Sequence, residues 1–158
     1  MFKNFTKIFV RDEICKGKLS AVQLIPFIYP HVGPRSQPEL IQAYGDIAQD
    51  ESPIVRKQAA ISLRDMADPG SFVPDNELLG ILTRFFQDSQ DSVRMHVMET
   101  CVSYARRLTV FKIEQCILPQ INWFAKDRSW RIRYTVMDQM VPLAKQIGHE
   151  KTQNVLVP

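Results

Sequence analysis

The feature of this sequence that most restricts its fold is a charge pair that returns at a nearly constant stride. An aspartate is followed six residues later by an arginine three times. The copies are Asp50-Glu-Ser-Pro-Ile-Val-Arg56, Asp88-Ser-Gln-Asp-Ser-Val-Arg94 and Asp127-Arg-Ser-Trp-Arg-Ile-Arg133. The offset is 38 residues from Asp50 to Asp88 and 39 from Asp88 to Asp127. Self-similarity at a period of roughly 20–50 residues marks a repeat architecture, in which each unit buries its apolar face only against its neighbours.

The flanks keep the same register. Before each aspartate, apolar residues fall at i, i+1, i+4, i+7 and i+8, one stripe of an α-helix. They are Leu40, Ile41, Tyr44, Ile47 and Ala48, then Leu78, Leu79, Leu82, Phe85 and Phe86, then Ile117, Leu118, Ile121, Phe124 and Ala125. A second stripe follows each aspartate. It runs Val55, Ala59, Ala60, Leu63, Met66, Ala67 in one copy and Val93, Val97, Met98, Cys101, Tyr104, Ala105 in the next. The last copy has Ile132, Val136, Met137, Met140, Leu143 and Ala144. Each copy therefore predicts two amphipathic helices joined by a short polar turn. One stride upstream, Asp12 and Lys18 take the two charged positions, with Ala21, Val22, Ile25, Ile28 and Tyr29 on the second stripe. One stride downstream of Leu118-Pro119 lies Val157-Pro158. The expected organisation is one array over 1–158, with repeats near 1–32, 36–68, 75–108 and 112–148 and the start of another at 152–158.

Turn chemistry supports this division. Ser36-x-x-Glu39 has the form of a capping box, and Ser52-Pro53 places an N-cap residue before a proline at the first helical position. Gly33-Pro34, Pro69-Gly70 and Gly148 punctuate the gaps between repeats. Pro119 lies within a first helix and predicts a kink; Pro26 and Pro142 fall in second helices and count against their continuity. Two helices per repeat of this length indicate an all-α superhelix of the HEAT type, about four helix pairs in a solenoid with a convex and a concave layer.

Composition narrows the function. Apolar residues make up 45% and charged residues 23% of 158, ordinary for a folded domain. Six glycines against ten prolines count against a turn-rich β fold. No apolar run approaches the ~20 residues of a membrane span, and residues 1–7 contain no signal-peptide core. The formal charge of +3 is too small to imply nucleic acid unless the positive groups gather on one face. Three cysteines, an odd number without a C-x-x-C pair, suit reduced thiols in a cytoplasmic or nuclear protein. Cys101 lies on an apolar stripe and reads as core. His31, His96 and His149 lack ligand spacing, and no glycine-rich phosphate loop, H-E-x-x-H or G-x-S-x-G occurs. The expectation is a non-enzyme without a cofactor or metal.

The charged frame itself reads as structural, an aspartate ending one helix and an arginine opening the next, pairing between stacked repeats. Exposed pairs contribute only about 0–1 kcal/mol each, so such a ladder would set register more than stability. Trp130, in a polar turn between Ser129 and Arg131, differs from its counterparts Pro53 and Asp91. Surface tryptophan beside arginine is a common binding hot spot. Trp123 adjoins an apolar stripe and is expected to pack partly into the core. Lys126, Arg128, Arg131 and Arg133 are the strongest basic concentration, a solvated face or a seat for an acidic protein surface.

Several runs together resemble a known family. They are Tyr29-Pro-His-Val, Asp50-Glu-Ser-Pro-Ile-Val-Arg56-Lys57-Gln-Ala-Ala, Asp91-Ser-Val-Arg94 with Glu99-Thr-Cys101-Val, and Asp127-Arg-Ser-Trp130-Arg131-Ile-Arg133-Tyr134. Across residues 18–158 the chain resembles the scaffold (A) subunits of protein phosphatase 2A, at about their fourth to seventh repeats. The resemblance implies a segment of a horseshoe of fifteen repeats. Such a scaffold holds regulatory (B-type) subunits on its N-terminal repeats and the catalytic subunit on C-terminal repeats that have no counterpart in this sequence. It also implies contact through the turns inside each repeat, at 51–57, 90–94 and 128–131. The candidate partner-binding residues are Pro53, Lys57, Gln90, Asp91, Ser129, Trp130 and Arg131. Lys57 stands where arginine is usual; it keeps the charge and loses the planar fork. The alternatives are a HEAT module for another helical or acidic partner, as in transport or chromosome-associated assemblies, or a nucleic-acid-binding array. The last stripe has no following neighbour in the sequence, which predicts self-association or low cooperativity.

Overall fold

The computed structural model of the chain describes residues 15–66 and 76–149 together with Thr152. The described residues are helical, with no strand among them. In chain order the helices are α1 (Cys15–Ile28), α2 (Gln37–Ile47), α3 (Pro53–Asp65), α4 (Asn76–Phe86), α5 (Asp91–Ala105), α6 (Val110–Lys112), α7 (Leu118–Phe124) and α8 (Trp130–Ile147). A 3-10 turn, Tyr29–His31, follows α1, and a π-helical turn, Ile113–Ile117, joins α6 to α7.

The helices pile up in sequence order. α3 packs between α1 and α5, and α5 between α3 and α8, forming one layer. α2, α4 and α7 form the other, each packed on the second helix of its own pair. This is the HEAT-type superhelix the periodicity predicts. The stripes meet in one continuous core running from Ala21 and Val22 to Leu143 and Ile147. Phe86 of α4 meets Phe124 of α7 edge to face at 4.7 Å between centroids. Tyr44 is fully buried in α2 and donates its hydroxyl to the Ala59 carbonyl of α3. Burial without a counter-charge pushes its phenol well above the ordinary value. Cys101 is core, as expected, and burial likewise raises its thiol.

The stripes are buried almost throughout; the departures are the half-buried Ile28 and Tyr29, the last pair, and Ala125, which is exposed. Met137, placed on the inner stripe by periodicity, is 72% exposed, and Met140 and Ala144 are half-buried. Ile132, Val136, Leu143 and Ile147 carry the α8 packing instead. Ala67, Pro69-Gly70, Asp12 and nearly all of 152–158 lie outside the described residues.

The prolines act by position. Pro119 produces a change of helix type in place of a simple kink: the π turn precedes it and Pro119 sits in the first turn of α7. A wider turn removes the clash between a proline ring and the carbonyl four residues earlier. Pro26 and Pro142, against expectation, lie inside continuous helices. Each costs its helix one backbone donor, and the bonds of the flanking turns carry the helix through it. Ser36 does precede α2, but its side chain makes no capping bond, because its backbone is helical rather than extended. The Gly33 carbonyl accepts from the Ser36 and Gln37 N–H groups instead. Gly148 ends α8 at φ 86° and ψ 163°, a conformation essentially confined to glycine.

A candidate protein-interaction surface

Each turn between a first and a second helix is built by its aspartate. Asp50 Oδ1 accepts from the Ser52 N–H at 2.9 Å, Asp88 Oδ1 from Gln90 at 2.9 Å and Asp127 Oδ1 from Ser129 at 2.8 Å. The chain reverses in two residues, and Ser52, Gln90 and Ser129 become extended N-caps of α3, α5 and α8. The arginine closes the same turn from below. Arg56 Nη1 donates to the Asp50 and Glu51 carbonyls at 2.9 Å each, Arg94 Nη1 to Asp88 at 2.7 Å and Arg133 Nη1 to Asp127 at 2.8 Å.

The remaining arginine donors reach the next repeat. Arg56 Nε and Nη2 grip Asp88 at 2.7 and 3.1 Å, and Arg94 Nε and Nη2 grip Asp127 at 3.0 and 2.9 Å. Lys18 does the same for Asp50 at 2.5 Å with a single ammonium. The expected ladder exists, but it is not an exposed one. The side chains of Arg94 and Asp127 are 5% and 4% accessible. Burial alone would raise the Asp50 and Asp127 carboxyls. The charged bonds from Lys18 and Arg94, with the serine N–H groups, outweigh it and hold both below the usual carboxylate range. The Asp50 bond in turn raises Lys18.

With the ladder occupied internally, the outer face of the turns is what remains for a partner. Trp130 opens α8 and is 65% exposed; the Arg131 guanidinium lies 6.0 Å from its ring centroid. Ser129 Oγ donates to Asp91 Oδ2 at 3.1 Å, and Arg131 Nη1 approaches the same oxygen at 3.9 Å. Four of the predicted residues, Asp91, Ser129, Trp130 and Arg131, are therefore one connected group spanning two repeats. Gln90 is the exposed N-cap beside it. Pro53 and Lys57 are exposed on the first turns of α3, separate from that group.

Sequence reasoning missed two hydrophobic members. Ile54, beside Pro53, is 65% exposed. Trp123, expected partly in the core, is 55% exposed and lines an open cleft of about 490 Å³. Gln87, Ser89, Lys126 and Arg128 share that cleft with the buried Arg94–Asp127 pair. Its signal was the position itself, one residue off the i, i+4, i+7 stripe. The basic run 126–133 is not a uniform positive face. Arg128 Nη2 donates to the Ser89 carbonyl at 3.2 Å, Arg131 leans on Asp91, and Arg133 holds turn carbonyls. Among the described residues no group of three or more His, Cys, Asp or Glu side chains is placed to hold a metal ion. No described helix is long and apolar enough to cross a membrane.

No family model matches the sequence. It is 31% identical over 121 residues, 73% of the chain, to the regulatory A subunit of protein phosphatase PP2A from Schizosaccharomyces pombe. It is 30% identical over 104 residues, 65% of the chain, to a probable regulatory subunit of the serine/threonine-protein phosphatase PP2A from Caenorhabditis elegans. The chain spans about a fifth of the length of these curated relatives, 20% and 18% respectively. By sequence identity over these residues the chain is a relative of the regulatory A subunits of protein phosphatase 2A.

Proposed function

We propose that this chain is a non-catalytic scaffold segment of a protein phosphatase 2A-type serine/threonine phosphatase, binding regulatory (B-type) subunits along the ridge of its turns. The observation that carries the reading is the Asp91–Ser129–Trp130–Arg131 group. It presents a large exposed aromatic and a cation on a base tied across adjacent repeats by the Ser129–Asp91 hydrogen bond. Rigid aromatic and arginine anchors lose little entropy on binding and dominate interface energies. Relatives named as regulatory subunits support a structural rather than an enzymatic role. The reading assigns the catalytic subunit to repeats outside this segment and puts the protein in the cytoplasm, with the nucleus as a second location. Internal use of the basic side chains at 128, 131 and 133 favours a protein surface over nucleic acid as the partner.

The test is a pull-down of purified regulatory subunits by the wild-type chain and by Trp130→Ala/Lys57→Ala. Loss of capture by the double variant, with no capture of isolated catalytic subunit by either, is the expected result. Equal capture by both chains removes these residues from the contact set.

A further inference from the structure

The two layers of the stack are not equally close. α1, α3, α5 and α8 pack tightly in series, while α2, α4 and α7 touch one another lightly. The ends of successive first helices therefore splay apart where the turns begin, and a cleft opens between them. One cleft, of about 480 Å³, lies between the ends of α2 and α4, with Glu51, Arg84 and Ser89 in its lining. The next, of about 490 Å³, lies between the ends of α4 and α7, with Ser89, Trp123, Lys126 and Arg128 in its lining. Both have a ladder pair as their floor, and that floor is neutral: Arg56 holds Asp88 in one and Arg94 holds Asp127 in the other.

The fold makes both clefts, but the side chains above the floor differ. One stride of 39 residues back from Trp123 stands Arg84, from Lys126 Gln87 and from Arg128 Ser89; 38 residues back from Ser89 stands Glu51. In the first cleft the Arg84 cation is offset by Glu51. In the second, Lys126 is exposed and pairs with no carboxylate among the described residues. Arg128 spends Nη2 on the Ser89 carbonyl at 3.2 Å and is exposed. Two cations thus stand over a neutral floor in this cleft alone of the two.

Trp123 gives the same cleft an apolar wall. Its ring lies 6.2 Å from that of Phe124, tilted by 31°, and Phe124 is fully buried against Phe86. The indole is braced by the core while 55% of the residue stays exposed. Its counterparts Asp46 and Arg84 are exposed too, each with a described repeat after it, so exposure belongs to the position in the repeat. The Lys126 N–H donates to the Trp123 carbonyl at 3.1 Å, which sets the two side chains one turn apart. Side chains so placed have Cβ atoms about 5–6 Å apart. Alternate residues of an extended peptide, which share one side, are about 6.6 Å apart.

We propose that this cleft seats an extended acidic segment of a protein partner, with an apolar or aromatic side chain against Trp123 and, two residues along, a carboxylate between Lys126 and Arg128. Braced aromatics beside free cations are the usual anchors for such segments. The inference rests on the reading of the ridge of turns as a protein-binding surface and specifies the chemistry that a partner presents there.

Fluorescence anisotropy of the full 158-residue chain tests this with a fluorescein-labelled peptide, Gly-Ser-Phe-Ser-Glu-Ser-Gly, and its counterpart carrying glutamine for glutamate. The expected result is saturable binding of the glutamate peptide, weakened by added salt, and roughly fivefold or greater loss for the glutamine peptide. Trp123→Ala and Lys126→Glu each weaken binding by roughly tenfold, and far-ultraviolet circular dichroism confirms that both stay folded. Trp130→Ala/Lys57→Ala binds the peptide as the wild type does, which separates the cleft from the capture of regulatory subunits. Peptide binding without regulatory-subunit capture upholds the cleft and removes that partner. No saturable binding, equal affinity for the two peptides, or unchanged binding by Trp123→Ala or Lys126→Glu would each overturn the proposal.

Discussion

Arg94 holds Asp127 with two parallel hydrogen bonds at 3.0 and 2.9 Å, 33 residues away along the chain and almost sealed from solvent. The same guanidinium also closes its own turn through the Asp88 carbonyl, and the same carboxylate builds the next turn through the Ser129 N–H. One ion pair therefore fixes two turns relative to each other, and with them the spacing of the surface residues those turns carry.

Removing one partner strands the other. Arg94→Ala leaves a buried carboxylate without its cation, and the expected loss is about 3–5 kcal/mol. Arg133→Ala, whose side chain is exposed and among the described residues bonds only backbone carbonyls, is expected to stay within about 1.5 kcal/mol. Paired urea denaturation curves of the two variants measure the difference, and equal losses would contradict the burial-based account.

Acid should loosen the ladder. The Asp50 and Asp127 carboxyls titrate lower in the folded chain than in the unfolded one. The unfolded state therefore binds protons first as pH falls, and stability declines from about pH 4 downward. Lys18 is raised, so its contribution is complete below about pH 10 and is lost only as pH rises through its folded value. Burial lowers His96 and raises the Cys101 thiol, so the plateau in melting temperature should run from about pH 6.5 to about pH 8.5, with the carboxylate loss added below about pH 4; a melting point unchanged well below pH ~4 would exclude the carboxylates as a source.

Two glycines should respond in opposite directions to the same change. A Cβ on Gly80, within α4, meets nothing inside 4 Å, so Gly80→Ala should add roughly 0.5–1 kcal/mol through helix propensity. Gly148, at φ +86°, also has open space around a Cβ. Its backbone is nonetheless strained for any L side chain, and Gly148→Ala should cost about 1–3 kcal/mol. Thermal melts of both variants decide the point.

Trp130 is 65% exposed and stands outside the buried core of the described residues. Trp130→Ala should leave stability within about 0.5 kcal/mol of wild type while weakening partner capture. A large drop in melting temperature would instead mark the indole as a structural clamp on the repeat edge.

The amino-acid sequence by itself determined the helix pairs, their stride and most of the core, because burial between stacked neighbours imposes a 3.6-residue period that local spacing reports directly. It also showed which residues make the ladder, since the aspartate and arginine recur in fixed register. Only the tertiary structure decided which arginine meets which aspartate, how deeply each pair is buried, and that Asp91, Ser129, Trp130 and Arg131 form one group while Pro53 and Lys57 stand apart. It alone placed Trp123 and Met137 outside. A stripe says that a helix has an apolar side, whereas exposure depends on whether a neighbouring helix lies against that side, and that is a property of the stack.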